Sequence, residues 1–105
     1  MNITPADLKI RLDRGESFRL VDVREVDEWA VARLPQAELI PLSQFQQRAA
    51  QELSPEETIV LYCHHGMRSG RAQDFLKAHG YTGVWNLAGG IDAWALQVDP
   101  TMKRY

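Results

Sequence analysis

Residues 58–70 read Thr-Ile-Val-Leu-Tyr-Cys-His-His-Gly-Met-Arg-Ser-Gly, and this stretch decides the fold. Its first part, residues 58–62, is a β-branched and apolar run without polar alternation, which is typical of a strand buried on both faces of a parallel sheet. Glycines and polar residues follow, and apolar residues at helical spacing come after them. The pattern predicts a central strand that ends at Cys63, then a loop, and then a helix from about Ser69.

Outward from this stretch, strand and helix signals alternate along the chain. Short β-branched or aromatic runs predict strands over residues 20–23 and 84–87. Side chains at helical spacing, most of them apolar, predict three helices, marked by Leu42, Phe45, Ala49 and Leu53; by Ala72, Phe75, Leu76 and His79; and by Ile91, Trp94, Ala95 and Val98. This alternation predicts an α/β fold with a largely parallel sheet covered by helices on both faces.

The two ends of the chain are expected to differ. Thr4 is a suitable N-cap, Pro5 suits the first helical position, and Gly15 can supply the left-handed stop, so a helix is expected over about residues 5–14. Residues 99–105 carry no helical or strand pattern, and we expect a surface tail there.

Composition and charge exclude several classes of protein. The 105 residues are 45% hydrophobic and 25% charged, as in ordinary globular domains, and no repeat or linker divides them, so we expect one domain over residues 1–105. A net charge of −2 without a basic run argues against nucleic acid and membrane partners. No signal peptide or membrane-spanning stretch is apparent, and with a single cysteine we expect a cytoplasmic protein.

The loop after the central strand places a cysteine against a helix N-terminus. Ligands of open parallel sheets bind beyond the carboxyl ends of the strands. Unpaired N–H groups and the helix dipole stabilise negative charge there, Arg68 adds a fixed positive charge, and Arg71 is a second candidate for such a charge. We therefore expect a lowered pKa for the Cys63 thiol and a reactive thiolate. Gly66 allows the loop to curl so that its N–H groups point inward.

This loop resembles the active-site loop of the rhodanese family of sulfurtransferases, Cys-x-x-Gly-x-Arg. Two further blocks resemble that family in order and spacing. The first begins with Val-Asp-Val-Arg-Glu at 21–25 and runs through Glu-Trp at 28–29 and Leu-Pro-x-Ala at 34–37 to Ile-Pro-Leu at 40–42; the second is Gly-Gly-Ile-Asp-Ala-Trp at 89–94. The resemblance implies a rhodanese-like α/β domain with a five-stranded, mainly parallel sheet.

The resemblance also implies a reaction of the thiosulfate sulfurtransferase type. Cys63 would take sulfane sulfur from thiosulfate or a persulfide donor, hold it as a persulfide, and pass it to a thiol, cyanide or a protein acceptor. The backbone amides implied to bind the persulfide and the donor are those of His64, His65, Gly66, Met67 and Arg68. The Arg68 side chain would bind donor oxyanions. With no second cysteine in the chain, the acceptor must come from outside, as a small thiol or a sulfur-relay partner protein.

Two departures from the family pattern have expected consequences. The family usually has arginine directly after the cysteine, whereas this chain has His64, whose charge is weaker and depends on pH, so thiosulfate binding is expected to suffer. The usual Gly-His-Ile-Pro-Gly-Ala is Ala-Arg-Leu-Pro-Gln-Ala at 32–37. There we expect a local change of the loop without loss of the fold.

Alternatives remain at this stage. A cysteine-dependent phosphatase or arsenate reductase would use a similar cradle, but those families place five residues between Cys and Arg, whereas four separate Cys63 from Arg68. A non-catalytic or sulfur-carrier interaction module is the other alternative function. We expect no cofactor, and no metal either, because the adjacent side chains of His64 and His65 should diverge in an extended loop.

Several charged and aromatic residues are expected to be structural. A buried ion pair is expected at the end of the first block, among Asp22, Arg24 and Glu25. These residues are not expected to form an acid–base site. The tryptophans stand at apolar spacing and are expected in the core: Trp29, Trp85 and Trp94.

Overall fold

The computed structural model describes residues 1–105, in which five strands and five helices alternate. The strands are β1 (Asn2–Ile3), β2 (Arg19–Asp22), β3 (Glu38–Leu39), β4 (Ile59–Tyr62) and β5 (Val84–Leu87). The helices are α1 (Pro5–Asp13), α2 (Val26–Val31), α3 (Leu42–Glu52), α4 (Met67–Ala78) and α5 (Gly90–Gln97). All strand pairs are parallel, in the order β1-β5-β4-β2-β3. The expected five-stranded α/β fold is confirmed, with β4 at its centre.

The core lies on both faces of this sheet because β4 alternates its side chains between them. Ile59, Leu61 and Cys63 belong to a cluster with apolar residues of α3 and α4. Val60 and Tyr62 belong to a second cluster with apolar residues of α1 and α5. Each face is therefore closed by a pair of helices, and Cys63 lies on the side that α4 covers.

Local signals account for the first helix. The Thr4 hydroxyl accepts a hydrogen bond from the Asp7 N–H at 3.1 Å, and Pro5 occupies the first turn. The helix ends at Asp13, and Gly15 follows with φ +67°. The expected helix over 5–14 is thus confirmed to within one residue.

The sequence patterns miss three short elements. Strands β1 and β3 have two residues each, too few for any periodicity to be visible, and α2 has six residues and no buried side chain. The two strands depend on partners that are distant in sequence, because β1 pairs with β5 and β3 pairs with β2. Glu25 caps α2 in a reciprocal capping box with Glu28, so it is not part of the buried ion pair expected for it.

Two other details differ from expectation. Helix α4 begins at Met67, two residues early, because Gly66 with φ +110° completes the turn before it. In the 32–37 loop, Gln36 has φ 68°, the left-handed conformation that glycine adopts most easily. The chain therefore makes this turn without a glycine. No helix has the length and apolar character needed to cross a membrane.

Candidate active site

The only thiol of the chain lies at the bottom of the 63–69 loop, directly after β4. Cys63 is 1% exposed. Its Sγ accepts the Gly66 N–H at 3.1 Å and lies 3.3 Å from the Ser69 hydroxyl. The left-handed turn at Gly66 aims this amide at the sulfur, at the point where α4 begins. The sulfur is thus surrounded by hydrogen-bond donors and hidden from bulk water.

The hydrogen-bond donors around the sulfur determine the direction in which the pKa of the Cys63 thiol shifts. Burial raises the pKa of Cys63, because it penalises the charged form. Hydrogen bonds from the Ser69 hydroxyl and from the amides of Ser69, Gly66 and His65 outweigh burial, so the pKa is lower than that of a free thiol. The direction agrees with the sequence expectation. The cause is hydrogen bonding from the loop and from the start of α4.

A polar residue of the neighbouring strand completes the support of the loop. The side-chain amide of Asn86 on β5 donates to the Gly66 carbonyl at 3.0 Å, and its Oδ1 accepts from the Ser69 hydroxyl at 2.5 Å. Because one hydroxyl carries one proton, Ser69 serves Asn86 while Cys63 is a thiol and can turn towards the sulfur when it is a thiolate. Sequence reasoning missed both residues. The sequence did contain a signal for Asn86, because it is a polar residue within the otherwise apolar run 84–87.

Helix α5 holds the loop from the other side. The N–H groups of Ile91 and Asp92 donate to the carbonyls of Cys63 and His64, at 2.9 and 3.1 Å. Gly90 permits this approach: a Cβ there would lie 2.5 Å from the Cys63 oxygen and would overlap the His64 oxygen, and its φ is +64°. Gly90 of the second block therefore has a packing role against the cysteine loop.

Arg68 is already engaged by a carboxylate. Its guanidinium forms a two-pronged ion pair with Glu28 of α2, with N–O distances of 2.7 and 2.9 Å. The guanidinium holds the pKa of Glu28 at about 2, compared with an ordinary 4.5. An anionic donor that used the Arg68 side chain would have to compete with Glu28. Nothing in the local sequence of the loop indicated this partner.

Residues 99–105 form the expected surface tail, and this tail also packs over the cysteine loop. The Tyr105 hydroxyl accepts from Arg24 Nη1 at 2.8 Å and donates to Glu28 at 2.9 Å. Its ring stacks on the His64 ring with centroids 4.1 Å apart. Arg24 itself forms the expected fully buried ion pair with Asp22. The tail folds over the loop because these side chains offer it partners.

The predicted loop residues occupy different environments. His64 is half-buried beneath Tyr105, and burial followed by the nearby His65 lowers its pKa. His65 is exposed, and Met67 is 75% exposed at the rim. The two imidazoles do not diverge as expected: their centroids are 4.0 Å apart. The backbone bends over residues 64–66, so the extended geometry assumed for the loop does not occur.

The expectation for the tryptophans holds only in part. Trp94 is buried in the core, whereas Trp29 and Trp85 are half-buried. Arg33 lies over the Trp29 ring at 4.5 Å and Arg11 over the Trp85 ring at 5.3 Å. Trp85 still packs against the second core cluster, whereas Trp29 belongs to neither cluster.

Comparison with known proteins gives one consistent result. A family model described as "Rhodanese-like domain" matches residues 4–97. The chain is 38% identical to a sulfurtransferase of Allochromatium vinosum, over 89% of this chain and 86% of that protein. The structure of a human single-domain sulfurtransferase superposes with a TM-score of 0.82 at 28% identity, covering 91% of this chain and 96% of that one.

Longer proteins contain a similar region. The probable adenylyltransferase/sulfurtransferase MoeZ of Mycobacterium tuberculosis is 39% identical over 98% of this chain. The chain spans only 26% of the length of that relative. The likeness therefore concerns one region of the larger protein.

Proposed function

The chain belongs to the rhodanese-like family of sulfurtransferases, and from that premise we propose that it transfers sulfane sulfur through a persulfide on Cys63. The donor is thiosulfate or a persulfide, and the acceptor is a thiol, cyanide or a protein. The proposed substrate-binding residues are His64, His65, Gly66, Met67 and Arg68.

One observation carries the proposal: the buried Cys63 sulfur is met by the Gly66 amide at 3.1 Å and faces the Ser69 hydroxyl at 3.3 Å. Donors already in place around sulfur stabilise the thiolate before the reaction. The unpaired amides at the start of α4 offer the same support to the terminal sulfur of a persulfide anion. A buried structural cysteine has no need of such donors.

With thiosulfate the reaction balances in two halves. The Cys63 thiolate attacks the outer sulfur, a new S–S bond forms, and the sulfur–sulfur bond of thiosulfate breaks, with its electron pair leaving on sulfite. Cyanide or a thiolate then attacks the outer sulfur of the persulfide and regenerates the Cys63 thiolate, with thiocyanate or a new persulfide as product. No redox cofactor is needed in either half.

The charge pattern of the loop bears on the donor. Thiosulfate is a dianion, but Glu28 neutralises Arg68 and His64 stands where the family usually has arginine. We expect Arg68→Ala to raise the KM for thiosulfate more than it changes the acceptor half-reaction. Arg71→Ala, one turn further along α4, is the matched control and should leave that KM unchanged. An unaltered KM for thiosulfate in Arg68→Ala would remove the proposed role of its side chain.

The acceptor must approach from outside, because the chain has no second cysteine. A protein acceptor or donor would make this chain a step in a sulfur relay, and a reducing cytoplasmic location suits an obligatory free thiol. We propose both the role in a sulfur relay and the cytoplasmic location.

The decisive experiment is intact-mass measurement before and after thiosulfate, and again after cyanide. The wild-type protein is expected to gain one sulfur atom and to lose it to cyanide, with thiocyanate formed; Cys63→Ala is expected to gain none. If thiosulfate loads nothing, a persulfide donor protein is tried next. Failure with both donors, or loading that survives in Cys63→Ala, would refute the mechanism.

A binding assay separates the enzyme from an interaction module. Cys63→Ser is expected to end sulfur transfer while leaving the binding of a sulfur-relay partner unchanged. Transfer that persisted in Cys63→Ser would contradict the role of this thiol.

A further inference from the structure

Three metal-ligating side chains meet beside the cysteine loop. His64, His65 and Asp92 each offer one ligand atom, and these atoms all lie within 4.8 Å of one another. The Nε2 atom of His65 is 3.5 Å from a carboxylate oxygen of Asp92. The proposed sulfur transfer does not use the imidazoles in this combination, and it does not use the carboxylate at all.

The main chain fixes these three residues relative to one another. The Asp92 N–H donates to the His64 carbonyl at 3.1 Å, so the first turn of α5 is tied to the loop. Gly90 allows contact with that same carbonyl. Only side-chain rotations are therefore needed to bring the three ligand atoms to one ion, and an ordered backbone reduces the entropic cost of binding.

The ligand set selects a class of metal. Two imidazoles and a carboxylate suit Zn²⁺ and its neighbours in the first transition row better than Mg²⁺ or Ca²⁺, which prefer oxygen ligands only. Ligands at 2.0–2.2 Å in a tetrahedron stand roughly 3.4 Å apart, and the 3.5 Å separation of His65 from Asp92 is close to that edge. We propose that His64, His65 and Asp92 form a binding site for a divalent ion of the zinc class.

The tail competes with the ion for two of the three ligands. Arg104 donates to Asp92 at 2.9 Å, and the Tyr105 ring covers His64. A bound cation would displace the Arg104 guanidinium from the carboxylate. Weakening the tail should therefore strengthen metal binding, because coupling between two binding events acts equally in both directions.

Calorimetric titration of the full chain with zinc chloride tests this site. The thiol is a competing zinc ligand, so the titration is made on the wild type and on Cys63→Ala, and one ion per chain is expected in both. In the Cys63→Ala background, His65→Gln and Asp92→Asn should each weaken binding about tenfold or more. Arg104→Gln should strengthen it about two- to fivefold, the contribution of an exposed ion pair.

His79→Gln is the matched control, because His79 is an exposed histidine at the end of α4 whose Nδ1 faces the Phe75 carbonyl. It should leave the zinc affinity unchanged. Cobalt absorption in Cys63→Ala gives a second measurement: intense visible bands are expected from a tetrahedral site, and Asp92→Asn should reduce them. Circular dichroism of each variant verifies its fold.

Two results would overturn the site. One is the loss of all binding in Cys63→Ala, which would make the ion a thiolate ligand only. The other is binding that Asp92→Asn and His65→Gln leave unchanged. Neither result bears on sulfur loading of Cys63, so this proposal and the proposed function can fail separately.

Discussion

The 63–69 loop and the 99–105 tail lie against each other but are held by different kinds of contact. The loop depends on main-chain groups: the Gly66 amide points at the sulfur, and two amides of α5 hold loop carbonyls. The tail is held mainly by side chains: Arg104 and Tyr105 bind polar partners, and Met102 packs against the second core cluster. Loop geometry is therefore built into the backbone of the fold, whereas the tail position depends on a few exchangeable partners.

Gly90→Ala tests the backbone side of this comparison and has the largest expected effect. The new Cβ would lie 2.5 Å from the carbonyl oxygen of Cys63 and would overlap that of His64, at a φ of +64°. Overpacking and left-handed strain together should lower the free energy of unfolding by about 3 kcal/mol. Urea denaturation measures this loss.

Gly80→Ala is the matched control for that experiment. Gly80 also has a positive φ, of +86°, but no atom lies within 4 Å of the position that a Cβ would take there. Only the left-handed penalty remains, so the loss should be about 1 kcal/mol. Equal losses at the two positions would show that α5 does not clamp the loop.

Ser69→Ala removes the side-chain donor from the sulfur while leaving the amides. The pKa of Cys63 should rise towards that of a free thiol, because the Ser69 hydroxyl is the largest of the contributions that lower it. A hydrogen bond to a charged group contributes about 1.5–3 kcal/mol, so alkylation by iodoacetamide at neutral pH should slow about tenfold. The difference should vanish at a pH where both thiols are ionised.

Ser43→Ala serves as the control, since the Ser43 hydroxyl donates to Glu25 at 3.0 Å and is not one of the donors that face the thiol. Its alkylation profile against pH should match that of the wild type. A Ser69→Ala profile that also matched would mean that the amides alone determine the acidity of the thiol.

The Arg68–Glu28 pair joins the loop to the same carboxylate that the tail uses, and acid should break it. The folded pKa of Glu28, about 2, is lower than the ordinary 4.5. The pair therefore stabilises the fold above pH 4.5, and this contribution is lost as the pH falls from 4.5 towards 2. Glu28→Gln should cost about 1 kcal/mol at pH 7 and progressively less towards pH 2.

Urea midpoints of the wild type and Glu28→Gln, taken at intervals between pH 7 and pH 2, measure this difference. The Arg48–Glu52 pair on α3 provides the control, because Glu52→Gln removes a half-buried pair that lies within a single helix and does not join two elements. It should change stability less at every pH. A Glu28→Gln penalty that stayed constant down to pH 2 would mean that the charge of Glu28 does not contribute.

The difference between loop and tail also explains what the sequence allowed us to predict. The run at 58–62, the glycine turn and the following helix are local patterns within one short stretch, and the structure has all three. Arg68 and Glu28 are 40 residues apart in sequence, and Tyr105 is 77 residues from Glu28. Side-chain pairs at such separations leave no periodic trace, so their positions could not be predicted from the chain.

The two histidines show the same limit at short range. Their identity and spacing were evident, but their direction depends on the bend of the backbone over residues 64–66. An extended loop would separate the rings, whereas the curled loop brings their centroids to 4.0 Å. The backbone path of the loop therefore decides whether the two histidines are separate, solvated side chains or part of a cluster of metal ligands.

Tyr105→Phe tests the side-chain half of the comparison and has the smallest expected effect. It retains a ring that can stack on His64 but loses the hydroxyl that joins Arg24 and Glu28. Loss of these hydrogen bonds should cost about 0.5–1 kcal/mol and act on the tail alone. Tryptic cleavage after the exposed Lys103 should accelerate about two- to fivefold.

Tyr81→Phe is the control: it loses a buried hydrogen bond to Leu53 and should lower global stability without accelerating cleavage after Lys103. Equal cleavage rates in Tyr105→Phe and the wild type would show that the hydroxyl contributes nothing to the position of the tail, which the stacking on His64 and the Arg104–Asp92 pair would then hold without it.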